Sequence, residues 1–149
     1  MHVRNSAKAL VICDDKILLN RCASRYGEYY ALPGGGQRPN ELLTETVVRE
    51  LREETGLGVA PIRLCGVYER LCESRADSDS HKIYFIFLCR LSGAAPAQPT
   101  ELDAHQIDKR WVPLSEVSEI NLFPRVVRDQ IIALTETNET LYLGSERRK

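Results

Sequence analysis

Residues 35–57 read Gly35-Gly36-Gln37-Arg38-Pro39-Asn40-Glu41-Leu42-Leu43-Thr44-Glu45-Thr46-Val47-Val48-Arg49-Glu50-Leu51-Arg52-Glu53-Glu54-Thr55-Gly56-Leu57, and the reading of the whole chain starts from them. From about Glu41 to Thr55 there is neither glycine nor proline, which predicts a helix. Asn40 stands where an N-cap is expected, and Gly56 where a helix ends in the left-handed region. Pro33 and Gly34-Gly35-Gly36 precede it. They predict a loop without side chains that a ligand can approach closely, and the loop–helix junction offers N–H groups to a phosphate oxygen.

On that helix Glu50, Glu53 and Glu54 stand at i, i+3 and i+4, within an arc of roughly 100°. Like charges that close cost a few tenths of a kcal/mol per pair on an ordinary helix. A hard divalent cation reverses the sign, because carboxylate oxygens are the ligands Mg²⁺ prefers. Arg49, four residues before Glu53, can orient it through a charge-assisted hydrogen bond, and Glu41 lies where the helix dipole favours a carboxylate. Glycine-rich turns and Glu/Arg-rich helix faces are common taken singly. The full spacing has a chance of arising in this chain on the order of 10⁻⁷ at ordinary residue frequencies, which removes coincidence.

Outward from this stretch, Ala7 to Cys13 is apolar and β-branched enough for a strand. Asp14-Asp15 follows as a turn and Lys16 to Arg21 as the hairpin partner. Tyr29 to Leu32 is a short extended piece. After the helix, Ile62 to Leu71 and Lys82 to Leu91 read as two longer strands separated by the polar loop Glu73 to Ser80. Ser92 to Thr100, rich in Ala, Pro and Gly, reads as a mobile loop, and Lys109 to Val112 as one more strand. Ser115 is placed to cap a helical turn, and Pro124 to open a final helix through about Leu134. The tail Ser145 to Lys149 is expected to fray.

The 149 residues, 43% hydrophobic and 28% charged, are expected to form a single domain over 1–149 with a core that needs no staples. A net charge of −1 gives no global basic field for nucleic acid, so a polyanion has to be held locally. Five cysteines (Cys13, Cys22, Cys65, Cys72, Cys89) without a C-x-x-C pair point to reduced thiols rather than a disulfide framework or zinc site. No apolar run is long enough to span a bilayer. The expectation is a cytoplasmic protein with no membrane or nucleic-acid partner.

The stretch from Gly35 to Leu57 resembles the Nudix box, G-x5-E-x7-R-E-U-x-E-E-x-G-U with U aliphatic, at every defined position. Ala31 to Gly36 is similar to the family's lead-in, and Trp111-Val112-Pro113-Leu114 to a later segment. The resemblance implies an α/β/α sandwich around a mixed sheet, the box forming a loop–helix–loop. It implies that Glu50, Glu53 and Glu54 bind Mg²⁺ (Mn²⁺ a substitute), that Arg49 and Glu41 support them or the attacking water, and that Gly35 serves backbone geometry. The implied chemistry is attack of metal-activated water on phosphorus. Many relatives add a carboxylate from a later loop. Here Glu101 is the first candidate for that metal ligand, ahead of Asp103 and Asp108, while Ala104 stands before His105 where relatives often have a glutamate.

Around the glycines, Gly35 and Gly36 are candidates for substrate contact. Arg21 and Arg25 are placed for a terminal phosphate or for plain solvated surface. Tyr26, Tyr29 and Tyr30 are candidates to stack on a nucleoside, Tyr30 fitting a core position equally. Trp111, Tyr84, Phe85 and Phe87 read as packing; His81 and His105 read as incidental. The extra motifs that accompany hydrolysis of NADH, coenzyme A or dinucleoside polyphosphates in relatives are absent, and so is the proline about sixteen residues past the box that many ADP-ribose hydrolases carry, Pro61 coming too soon. The expected substrate is a nucleoside diphosphate derivative, a nucleotide sugar or ADP-ribose-like molecule, with a nucleoside triphosphate as the alternative. A non-catalytic nucleotide-binding module usually shows eroded box glutamates, and all are present here. Dimers are common among relatives, so a homodimer is an expectation too.

Overall fold

The computed structural model describes residues 2–71, 81–93, 99 and 105–146. Strand β1 (Arg4–Cys13) turns through Asp14 and Asp15 into β2 (Lys16–Ser24). Both aspartates have positive φ, 51° and 58°. That is the two-residue turn whose twist matches a hairpin, and aspartate tolerates the left-handed region better than most residues. Then follow β3 (Gly27–Ala31), β4 (Gly34–Gly36), helix α1 (Leu43–Thr55), β5 (Val59–Arg70), β6 (Lys82–Leu91) and β7 (Gln106–Pro113). A 3₁₀ turn (Leu114–Glu119), β8 (Leu122–Phe123), α2 (Arg125–Asp129), α3 (Ile131–Glu136) and β9 (Leu141–Gly144) complete the described chain.

The strands form one mixed sheet in the order β8-β3-β2-β1-β6-β5-β9, with β4 added to β1 and β7 to β2. β1 runs parallel to β6 and β5 parallel to β9, whereas β5 and β6 are antiparallel. Period-two alternation on β1 divides the core. Ala7, Ala9 and Val11 bury against Val47 and Leu51 of α1, and two small methyls let the helix lie close to the strand. Leu10 points the other way, into a cluster with Ile86, Val127, Ile131 and Leu134 under α2 and α3. Each such aliphatic side chain contributes about 1.5–3 kcal/mol of burial. Helices on both faces make the expected α/β/α sandwich.

Several local expectations need correction. Asn40 does not cap α1; it adopts φ 62°, and the cap position falls to Leu42. Leucine has no acceptor to offer, so Glu45 alone performs the reciprocal half of a capping box, its Oε1 accepting the Leu42 N–H at 2.9 Å. Gly56 ends the helix at φ 75°, as expected. The glycine run is not a bare loop: Gly34–Gly36 pairs antiparallel with Ser6–Lys8. Ser115 lies inside the 3₁₀ turn, which Pro113 precedes. The last helix breaks at Gln130, giving α2 and α3, with Pro124 ahead of the first. Within the expected frayed tail, Glu146 accepts the Val126 N–H. Cys13, Cys65 and Cys89 are free thiols. Glu73 to Ser80, Cys72, residues 147–149 and most of Ser92 to Thr100 lie outside the described residues. Among the described residues no helix is long and apolar enough to cross a membrane.

Candidate active site

Pairing of β4 with β1 puts the glycine strip against the α1 face that carries the glutamates. At Gly34, φ is 140° and a Cβ would stand 2.1 Å from Ala7 O, so only glycine fits there. At Gly35 an added Cβ would meet the Glu50 carboxyl, 2.5 Å from its carbon and 2.7 Å from each oxygen. The missing side chain at 35 is the space that Glu50 occupies.

Arg49 organises the box. Its Nε and Nη2 hold the two oxygens of Glu41 at 2.7 and 2.9 Å. Nη1 reaches Glu50 at 3.0 Å and Glu53 at 3.2 Å, and Nη2 also donates to Gly36 O at 2.9 Å. Glu41 further accepts the Thr46 hydroxyl at 2.7 Å and the Arg38 N–H at 3.1 Å. With Arg49 as the leading cause, its carboxyl is held down to about 2. Glu53 is shared between Arg49 and Arg38, the latter at 3.6 Å.

Glu50 and Glu54 behave differently, because burial dominates. Desolvation pushes the Glu50 carboxyl up despite Arg49. Glu54 is buried and rises to about 7, again through desolvation first, although Lys8, Gly34 and Asn20 all favour its charged form. Gly34 N–H and Asn20 Nδ2 both donate to Glu54 Oε2, at 2.9 and 3.2 Å. Glu50 and Glu54 line an open cleft of about 800 Å³ together with Gly34, Gly35, Gly36, Lys8 and Tyr84.

Of the residues expected from sequence, Gly35, Gly36, Glu50 and Glu54 meet in this cleft. Glu53, Arg49 and Glu41 form the ion-paired group beside it. Arg21 and Tyr30 are not brought there. The Arg21 guanidinium is a bidentate partner of Asp108, at 2.9 Å on both arms, and meets Glu28 at 2.8 Å. Tyr30 packs against the core cluster under α2 and α3. Arg25 donates to the Tyr26 hydroxyl, and His105 gives its carbonyl to Ala23 N–H. Glu101, Asp103 and Ala104 lie outside the described residues.

Lys8, Asn20 and Tyr84, in or behind the cleft, escaped the sequence reading as site residues. Lys8 donates to Gly34 O at 3.2 Å and lies 5.1 Å from the centre of the Tyr84 ring. Asn20 is buried against Glu54. Tyr84, expected to be packing alone, also lines the cleft. For Lys8 and Asn20 a signal existed: each is a polar residue at an inward phase of a strand, beside Leu10 and Leu18 respectively.

Among the described residues no three carboxylates, histidines or cysteines converge as a closed metal cage. Mg²⁺ does not require one, since it is commonly held by one or two carboxylates together with waters and substrate phosphates. Two desolvated carboxylates, hard oxygen donors with a glycine opposite Glu50, fit that description.

A family model, the NUDIX domain, matches residues 3–133. The 8-oxo-dGDP phosphatase of Homo sapiens is 34% identical over 101 residues, 66% of this chain and 28% of that protein. The chain therefore spans less than a third of the length of that relative. The ADP-ribose pyrophosphatase of Methanocaldococcus jannaschii is 31% identical over 130 residues, 87% of this chain and 69% of that protein. Among solved structures, a NUDIX hydrolase from Nitrosomonas europaea superposes with a TM-score of 0.71 at 23% identity, covering 89% of this chain and 88% of the other. At that identity the likeness is one of fold.

Proposed function

The chain belongs to the NUDIX family, and from that premise we propose that it hydrolyses the diphosphate linkage of a nucleoside diphosphate derivative, a nucleotide sugar or ADP-ribose-like molecule, with Mg²⁺. The observation that carries the reading is the pair of desolvated carboxylates, Glu50 and Glu54, in one cleft with the Gly34–Gly36 strip. In this reading residues 1–149 act as one domain. Glu50 and Glu54, with Glu53 drawn from its ion pairs, hold the cation. A cation held there would supply polarisation of the diphosphate and a lowered pKa for a water.

The chain's own residues set the stage. Arg49 and Glu41 fix the orientation of Glu50 and Glu53, Asn20 and Gly34 N–H pin Glu54, and Gly35 and Gly36 let a phosphate approach the backbone. Most of the barrier is lowered by position and preorganised charge. The archaeal relative that aligns over 87% of this chain is named for ADP-ribose, which supports the diphosphate-derivative reading. The human relative is named for 8-oxo-dGDP, which supports a nucleoside di- or triphosphate as the second reading.

The test is a hydrolysis screen with Mg²⁺ over ADP-ribose, nucleotide sugars and nucleoside di- and triphosphates, repeated with Glu53→Gln. We expect nucleoside monophosphate release from the first two classes, abolished by chelation, and a kcat in Glu53→Gln lower by about 10²-fold or more. Near-normal turnover in that variant would sink the assignment of the glutamates.

A further inference from the structure

Three cations stand in one row across three adjacent strands. Arg4 of β1 is the register partner of Lys82 of β6, and Lys82 is the partner of Arg70 of β5. Like charges directly opposite each other destabilise a sheet. Charged residues often protect exposed sheet edges, but β6 is an inner strand, hydrogen-bonded on both sides, so that explanation does not reach Lys82. Among the described residues none of the three has an ion-pair partner. Glu69, the nearest acid in sequence, sits one position off this phase. It accepts the Tyr142 hydroxyl and lies 3.9 Å from His81 Nε2. Arg70 lies 5.9 Å from the centre of the Phe123 ring.

Arg4 and Lys82 line the same cleft as Glu50 and Glu54. Along β1, period two puts Arg4, Ser6 and Lys8 on one face. Lys8 marks the end nearest the glutamates, where it hydrogen-bonds Gly34 O. Arg4 is four residues away, about 13 Å of strand. Between them the cleft is lined by Ser6 and its register partner Tyr84, two hydroxyl side chains of a kind that suits a sugar.

We propose that Arg4 and Lys82, with Arg70 beside them, form a second anion subsite, so that substrates carry a further phosphate or carboxylate on the group beyond the cleaved diphosphate. The proposal rests on the reading that the diphosphate lies at Glu50 and Glu54. An anion there turns a row of mutual repulsion into charge-assisted hydrogen bonds, beyond Ser6 and Tyr84 from the Lys8 end of the cleft.

Calorimetric titration with Ca²⁺ in place of Mg²⁺, to keep the ligands intact, tests this with two matched pairs. UDP-glucuronate against UDP-glucose places the extra anion on the sugar half; 2′-phospho-ADP-ribose against ADP-ribose places it on the nucleoside half. In at least one pair the anion-bearing member should bind about tenfold tighter, and which pair does so identifies the half. The double variant Arg4→Ala/Lys82→Ala, checked by circular dichroism, should bring that ratio to about one, and the single variant Lys82→Gln should reduce it in part. Equal affinity in both pairs, no measurable binding of either anion-bearing ligand, or a ratio unmoved by the double variant would overturn the subsite. Hydrolysis in Mg²⁺ is scored separately. Preferential binding without hydrolysis upholds the subsite and counts against the hydrolase reading, whereas hydrolysis without preference does the reverse.

Discussion

Asn20 Nδ2 lies 3.2 Å from Glu54 Oε2, the same oxygen that accepts the Gly34 N–H. Two donors on one oxygen of a buried carboxylate leave its other oxygen for a cation or a proton. Burial raises this carboxyl from 4.5 to about 7. Between those values the folded protein keeps a proton that the unfolded chain has lost, so stability falls as pH rises through the window. Glu54→Gln retains an oxygen for Asn20 and Gly34 and carries no charge. Without divalent cations it should be more stable than the parent by up to about 3 kcal/mol above pH 7 and show no gain near pH 4.5, as read by denaturant unfolding. Equal differences at both pH values would refute the burial argument. In the parent, a divalent cation titrated below pH 7 should release a proton, visible as a buffer-dependent binding enthalpy.

Neighbouring glycines should separate site from fold. At Gly35 the backbone lies outside the positive-φ region and the obstruction is the Glu50 carboxyl. Gly35→Ala should leave thermal unfolding within about 1 kcal/mol of the parent while lowering kcat and weakening Mg²⁺. At Gly34 a methyl meets Ala7 O at 2.1 Å with φ at 140°. Gly34→Ala should therefore break the β1–β4 pairing and destabilise by about 3 kcal/mol. If both variants lose stability alike, the distinction between the two positions fails.

How much of this was legible beforehand follows from the physics of each feature. The grouping of the box side chains was readable because Arg49, Glu50, Glu53 and Glu54 share one helix, with Glu41 just ahead of it, and sequence displays such spacing directly. Asn40 misled because an asparagine serves equally as a cap or at positive φ, and the Arg38–Glu41 turn settles the choice. Lys8 meets Gly34 and Asn20 meets Glu54 only through the tertiary fold, across 26 and 34 residues respectively. Their inward phase was a usable sign that something polar had to be met. Arg21 drew interest as a cation near the glycines, yet its partner Asp108 is 87 residues away and comes beside it when β7 joins β2. The order of strands is a product of the whole core, and no local pattern carries it.

Arg49 gives the last prediction, and it separates charge from shape. A guanidinium spans both oxygens of Glu41 while keeping a further arm on Glu50 and Glu53; a lysine ammonium is a point charge and cannot reproduce that fork. Arg49→Lys therefore preserves net charge but frees at least one carboxylate. Loss of an orienting partner of this kind typically costs 10–100-fold in activity or metal affinity, and kcat should fall by about that range with a smaller change in KM. Because the pair is largely but not wholly shielded from water, with side-chain exposures of 18% and 15%, the loss of stability should be about 2 kcal/mol, below that of a fully buried ion pair. Arg49→Ala should be worse in both respects. If Arg49→Lys restores full turnover, the residue acts through its charge alone, and the bidentate grip on Glu41 has no part in aligning the glutamates.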